Sequence, residues 1–222
     1  MAVPELTPPE IRVLGSLVEK AMTTPDQYPL TLNALVHACN QKSSRFPVVD
    51  YDEKTVVRAL DHLRQKKLAL LVSSAGGRVP KYEHSAGQTL CLSDAALALL
   101  AVLMLRGPQT VGELRTRTAR MHTFGSLTEV QDTLDELCEK EDGLLLKKLP
   151  RQTGRKECRY AQLLGGEPEL PEHEEGEAAP EPARQAVQAE DARIAALEEQ
   201  VRSLNEELAA LRSEFESFRD QF

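Results

Sequence analysis

The chain of 222 residues contains no tryptophan, five phenylalanines and four tyrosines, so any core must be built from aliphatic side chains. No apolar run approaches the ~18 residues that a membrane-spanning helix needs, and no membrane partner is expected. The first residues, MAVPELTPPEIRVLG, lack the basic and apolar regions of a secretory signal, which points to a cytoplasmic protein. The four cysteines, Cys39, Cys91, Cys138 and Cys158, are far apart and form no CxxC pair. The first three sit among apolar neighbours on expected elements, as small core residues do in a reducing compartment. There is no P-loop, GxGxxG, HExxH or GxSxG, and no Cys/His set at metal spacing. The expectation is a protein that is not an enzyme and takes no cofactor and no metal. His173 lies in a run of acids and reads as solvated. His37 and Cys39, two apart on a helix, diverge by about 200° and cannot form a dyad.

Charge of one sign is scarce in the wrong place for a simple acidic protein. The net charge of −8 divides into +2 for residues 1–90, +1 for residues 91–164 and −11 for residues 165–222. The acidity belongs to the tail, and the two preceding regions are slightly basic.

Thr7-Pro8-Pro9-Glu10 starts a helix, with a hydroxyl at the cap, proline in the first turn and an acid near the positive dipole end. Ile11, Leu14, Leu17, Val18 and Ala21 follow at helical spacing, and Pro25 and Pro29 end it. Leu30, Leu32, Leu35, Val36 and Cys39 mark a second helix, and residues 41–51 a polar loop. Asp52 caps a third helix striped by Val56, Val57, Leu60 and Leu63. Leu68–Val72 and Val79–Glu83 then flank Gly76-Gly77, a hairpin pattern. The plan recurs. Ser93, Thr110 and Ser126 cap three further helices, and Leu144–Leu149 and Cys158–Leu163 flank a basic turn. Helix, loop, helix and a two-stranded wing is the pattern of a winged helix. The fold class expected is mainly α (α+β), with tandem winged-helix domains at 1–90 and 91–164.

Residues 165–186 are rich in Glu and Pro and read as a disordered acidic linker. From Val187 an apolar pattern resumes. Ile194, Val201, Leu208 and Phe215 fall at heptad position a, and Leu197, Leu204, Leu211 and Phe218 at d. β-Branched residues at a with Leu at d favour a parallel pair, and the g–e′ contacts Arg193–Glu198, Glu207–Arg212 and Glu214–Arg219 are all opposite in sign. Residues 187–222 are therefore expected to form a coiled coil that joins two copies of the chain. One amphipathic helix folding back on the preceding domains is the alternative, although such helices usually carry a wider apolar face.

Four segments resemble the YceH-like bacterial family: EKAMTTPDQYPLTLNALVHACNQKSSRFPV at 19–48, GGRVPKYE at 76–83, LLAVLMLRGPQTVGELRTRTARMHTF at 99–124 and GRKECRY at 154–160. The resemblance implies two winged-helix domains with a helical tail. It carries over no catalytic residue.

On the third helix of the first domain, Lys54, Arg58 and Gln65 lie opposite the apolar stripe, flanked by Thr55, His62 and Asp61. Arg, Lys, Gln and Thr are side chains that read base edges or hold phosphates. Lys42 and Arg45 in the preceding loop, and Arg78 and Lys81 in the wing, are the expected phosphate contacts. Asp61 in the same surface argues for an ordinary solvated face instead. The matching helix of the second domain presents Thr128, Asp132, Asp135, Glu136 and Glu139, which a polyanion would repel. Basic residues of that domain cluster at Arg115, Arg117 and Arg120, and around its wing at Arg151, Arg155, Lys156 and Arg159, a secondary site for backbone contact. The function expected is double-stranded DNA binding by a dimer; the alternative is a protein-binding adaptor that works through the acidic helix.

Overall fold

Ten consecutive residues, Ala96 to Leu105, are buried on every side of one helix, which packs against α-helical and β elements from both ends of the described chain. The computed structural model describes residues 4–72, 79–139, 145–151 and 157–167. All fall within one compact unit, residues 1–169. The acidic linker beyond Glu167 and the heptad stretch 187–222, with Ile194, Leu197, Val201, Leu204, Leu208, Leu211, Phe215 and Phe218, lie outside the described residues, as do the tips of both hairpins.

The described residues are mostly helical, with two small antiparallel sheets. Helix α1 (Pro8–Thr23) starts at Thr7, whose N–H donates to the Glu10 carboxylate at 2.9 Å. A single turn of 3-10 helix, Pro25–Gln27, leads to strand β1 (Leu30–Thr31). Helix α2 (Leu32–Cys39) follows, with Thr31 Oγ1 accepting from Ala34 N–H at 3.3 Å. Asp52 then caps α3 (Glu53–Gln65), accepting from Thr55 N–H at 2.9 Å. Strands β2 (Ala69–Val72) and β3 (Lys81–His84) close the first sheet, ordered β1-β3-β2. Tyr82 thus faces Leu30 on one side and Leu71 on the other.

A short helix, α4 (Ala86–Thr89), links this to α5 (Asp94–Arg106), the buried helix. Helices α6 (Val111–Thr118) and α7 (Leu127–Cys138) take their caps from Thr110 and Ser126, as the sequence predicts. Strands β4 (Leu146–Lys148) and β5 (Tyr160–Gln162) pair with Lys148 opposite Tyr160, while Gln109 bridges Tyr160 from its other side. The order of elements in the first sheet is repeated in miniature.

One aliphatic core runs through both halves. Leu14, Leu17 and Val18 of α1 join Leu60 and Leu63 of α3, Leu99, Leu100 and Leu103 of α5, and Leu134 and Leu137 of α7. Helix α5 packs on α1, α6, α7 and β5. Gly15 lets α1 lie tight against α5: a Cβ there would sit 3.0 Å from Leu105 Cγ and 3.1 Å from Met104 Cβ. The chain returns to its start, with Leu6 N–H donating to the carbonyl of Leu164.

Three expectations are corrected. Leu30 does not open α2; with Thr31 it forms β1, since the cap at Thr31 delays the helix and the free edge of β3 takes the two residues before it. Residues 86–89 form a helical link where no element is expected. Cys91 is exposed, in a left-handed turn with φ +49° between α4 and α5, whereas Cys39 is fully buried. Burial pushes the Cys39 thiol up to about 11, which keeps it protonated. Cys138 and Cys158 are half-buried.

Candidate nucleic-acid interface

Helix α3 buries Val56, Ala59, Leu60 and Leu63 and turns its other side outward. On that side Lys54, Arg58 and Gln65 are exposed. They span about 17 Å along one face at 1.5 Å per residue. Thr55 is half-buried and tied into the cap. Hydrogen bonds from its side chain and backbone, with the nearby charges of Lys54 and Arg58, hold the Asp52 carboxyl below the usual carboxylate range. Asp61 is exposed and pairs with Arg64 at 3.4 Å. That pairing draws its charge toward Arg64, which is not one of the base-contact candidates Lys54, Arg58 and Gln65. His62 is also engaged: its Nδ1 lies 2.8 Å from the buried Glu10 carboxylate.

Lys42 is exposed in the α2–α3 loop and Lys81 is half-buried at the start of β3, the central strand. Arg78 lies outside the described residues. Arg45 corrects the expectation drawn from its position in a polar loop. Its side chain is fully buried, and its guanidinium meets Glu19 end-on, Nη1 to Oε1 at 2.9 Å and Nη2 to Oε2 at 2.6 Å. The remaining donors reach the carbonyls of Ala38 and Ser44 and the side-chain oxygen of Gln41. A guanidinium so fully engaged holds the loop to α1 and is not presented to a phosphate. Nothing in the spacing of residues 41–51 signals this; the carboxylate it seeks lies 26 positions earlier.

In the second half, Arg151 is exposed, and Arg155 and Lys156 lie outside the described residues. Arg159 is a second correction. It is half-buried, with Nη1 donating to the Pro108 carbonyl at 3.1 Å, and so braces β5 against the end of α5. Asp132, Asp135 and Glu136 of α7 and Glu139 at its C-cap are exposed, together with Thr128 and half of Leu127. Gln131 ties this helix to the sheet, donating to Tyr160 Oη at 2.6 Å and to Asp135 at 2.8 Å. Among the described residues no group of His, Cys, Asp and Glu is placed to hold a metal ion, and no helix is long and apolar enough to cross a membrane.

Among the described residues these features define a mostly helical unit with two small antiparallel sheets, an aliphatic core and, on α3, an exposed face of mixed charge with cations prominent. The chain belongs to a family of bacterial proteins described as "Protein of unknown function, DUF480", whose model matches residues 6–155. Relatives called UPF0502 protein are similar along nearly the whole chain. One from Geotalea daltonii is 58% identical over 213 residues, covering 96% of both chains. Another from Geobacter sulfurreducens is 55% identical over 213 residues with the same coverage. A third, from Opitutus terrae, is 54% identical over 180 residues, covering 81% of this chain and 77% of its own.

Proposed function

We propose that the chain is a non-enzymatic, double-stranded DNA-binding protein built from two winged-helix modules, and that residues 187–222 join two copies in parallel. The observation that carries this reading is the contrast between matching helices. On α3, Lys54 and Arg58 are exposed with no ion-pair partner among the described residues, whereas α7 presents carboxylates at the corresponding face. The element order supports the module assignment: helix, two-residue strand or bridge, helix, helix and antiparallel pair occur twice. The likeness of residues 19–48 and 76–83 to the YceH-like family points the same way. In this mechanism Lys42 and Lys81 position the duplex through phosphates, and Lys54, Arg58 and Gln65 contact base edges.

The test is a gel-shift titration of the full chain with duplex DNA across a salt series. Log affinity is expected to fall by about 0.9 for each phosphate contacted per log unit of salt. Arg58→Glu should weaken binding by about ten-fold or more at low salt, and the complex should contain two chains by light scattering. Equal binding by wild type and Arg58→Glu would end the α3 assignment; one chain per complex would end the dimer.

A second reading rests on α7. The exposed carboxylates Asp132, Asp135 and Glu136, the capping Glu139 and half-exposed Leu127 suit a basic protein partner, which would make the chain an adaptor. A heparin column separates the two, because only the DNA reading predicts retention of the chain beyond moderate salt.

A further inference from the structure

Where the ends of α1 and α5 meet α6 and the α2–α3 loop, cations outnumber anions. Glu19 is the central carboxylate, holding Arg45 through both oxygens and lying 3.8 Å from Lys20 Nζ. Arg12, also buried, donates to the carbonyls of Cys39 and Pro47. Phe46 N–H donates to the Leu105 carbonyl at 2.9 Å, which brings Arg45 beside Arg106, the last residue of α5. Arg117 of α6 pairs with Glu113 at 3.4 Å, but the other oxygen of Glu113 already accepts from Thr110 N–H. Among the described residues, five cations (Arg12, Lys20, Arg45, Arg106 and Arg117) thus gather about two carboxylates, Glu19 and Glu113.

Arg106 stands out among them. It is half-buried, and among the described residues its guanidinium has no hydrogen-bond or ion-pair partner. Burial first, and then the charges of Arg117 and Arg45, lower its pKa, while Glu19 pulls the other way. An unpaired guanidinium partly withdrawn from water beside like charges is unfavourable. The partial negative charge at the C-terminal end of α5 offsets only part of that cost. A multivalent anion would offset the rest.

We propose that Arg106 and Arg117, backed by the charge of Arg45, form an oxyanion site at the α1–α5–α6 junction that takes a phosphate group. The donors of Arg45 are already engaged, so it contributes field, and Arg106 and Arg117 make the contacts. A phosphate fits better than a carboxylate because its several oxygens and greater charge can meet two guanidinium groups at once. The site uses none of the α3 side chains and stands or falls apart from the DNA reading.

Calorimetric titration of the full chain tests it with two probes, inorganic phosphate and an abasic deoxyribose-phosphate oligomer, both against sodium chloride at matched ionic strength. Saturable binding of either is expected, weakened at least about ten-fold by Arg106→Gln and reduced by Arg117→Gln, with Lys147→Gln, at an exposed cation of β4, unchanged. Binding of inorganic phosphate identifies a free anion as the ligand; binding of the oligomer alone identifies a nucleic-acid backbone. Arg106→Gln should melt in chloride no lower than wild type, because it removes a repulsive cation, so lost binding cannot be charged to unfolding. No saturable binding of either probe, or binding that Arg106→Gln leaves intact, overturns the proposal.

Discussion

Glu10 joins two helices through one buried carboxylate. It accepts from Thr7 N–H at the start of its own helix, from Lys66 Nζ at 2.7 Å, and lies against His62, both partners being at the far end of α3. Burial alone would raise its pKa, but Lys66, Thr7 and His62 together hold it below the usual value of 4.5. A carboxyl with a depressed folded pKa stabilises the fold fully above its unfolded value, and that contribution is lost as pH falls through the folded value. Glu10→Gln should therefore cost about 1–3 kcal/mol at neutral pH, less than a wholly buried pair because Lys66 and His62 remain partly solvated. In denaturant titrations the gap between wild type and variant should be constant at neutral pH and close below about pH 4.5. A gap that persists at lower pH would mean that Glu10 acts through packing and not through charge. The same carboxylate was legible in the sequence only as a helix-start acid; its partners, more than fifty positions away, leave no local trace.

At the scale of elements, a tight constraint is the crossing of α1 and α5 at Gly15. Glycine inside a helix costs about 1 kcal/mol relative to alanine, so Gly15→Ala would ordinarily stabilise. Here the new Cβ would lie 3.1 Å from Met104 Cβ, an atom fixed to the α5 backbone that cannot yield without moving the helix. Overpacking of this kind costs about 1–3 kcal/mol. The net expectation is a loss of about 1 kcal/mol, read as a lower melting temperature; a gain would show that α5 shifts freely. The helix starts were the most readable part of the chain, because Thr7, Thr31, Asp52, Ser93, Thr110 and Ser126 carry their own local signal, although Thr31 becomes readable only once Leu30 is assigned to β1. What escaped were elements too short for any period: β1, two residues held only by the edge of β3, and α4, a single turn. The full burial of α5 was available in principle, since AALALLAVLML is apolar all round, a pattern that belongs to a helix enclosed on every side. The candidate interface was legible in the same graded way. Lys54, Arg58 and Gln65 follow from helical spacing, whereas nothing periodic governs which loop arginine turns inward, and Arg45 and Arg159 were misplaced for that reason.

At the scale of the whole unit, the enclosed helix has a consequence for stability. Two tandem modules joined by an exposed linker would unfold separately, each with its own midpoint. Here α5 buries one side against α1 and others against α6, α7 and β5, so neither half can open without exposing the aliphatic surface of the other. Leu60 on α3 and Leu134 on α7 lie in different halves and are 1% and 0% exposed. Replacing either with alanine should cost about 2–5 kcal/mol. Because the core is shared, each substitution should move the same single transition of residues 1–169, and the double variant should unfold at one still lower midpoint. Differential scanning calorimetry of the full chain, with the calorimetric and van't Hoff enthalpies of that transition compared, reads this directly. Two separated transitions, each responding to only one of the two substitutions, would show that the halves are independent and that the α1–α5 contact contributes little. A single transition moved by both would also limit how the proposed DNA and phosphate sites can respond to one another. Their supporting elements would then be coupled through packed leucine side chains, and a ligand at the α1–α5–α6 junction would stabilise the base of α3 as well.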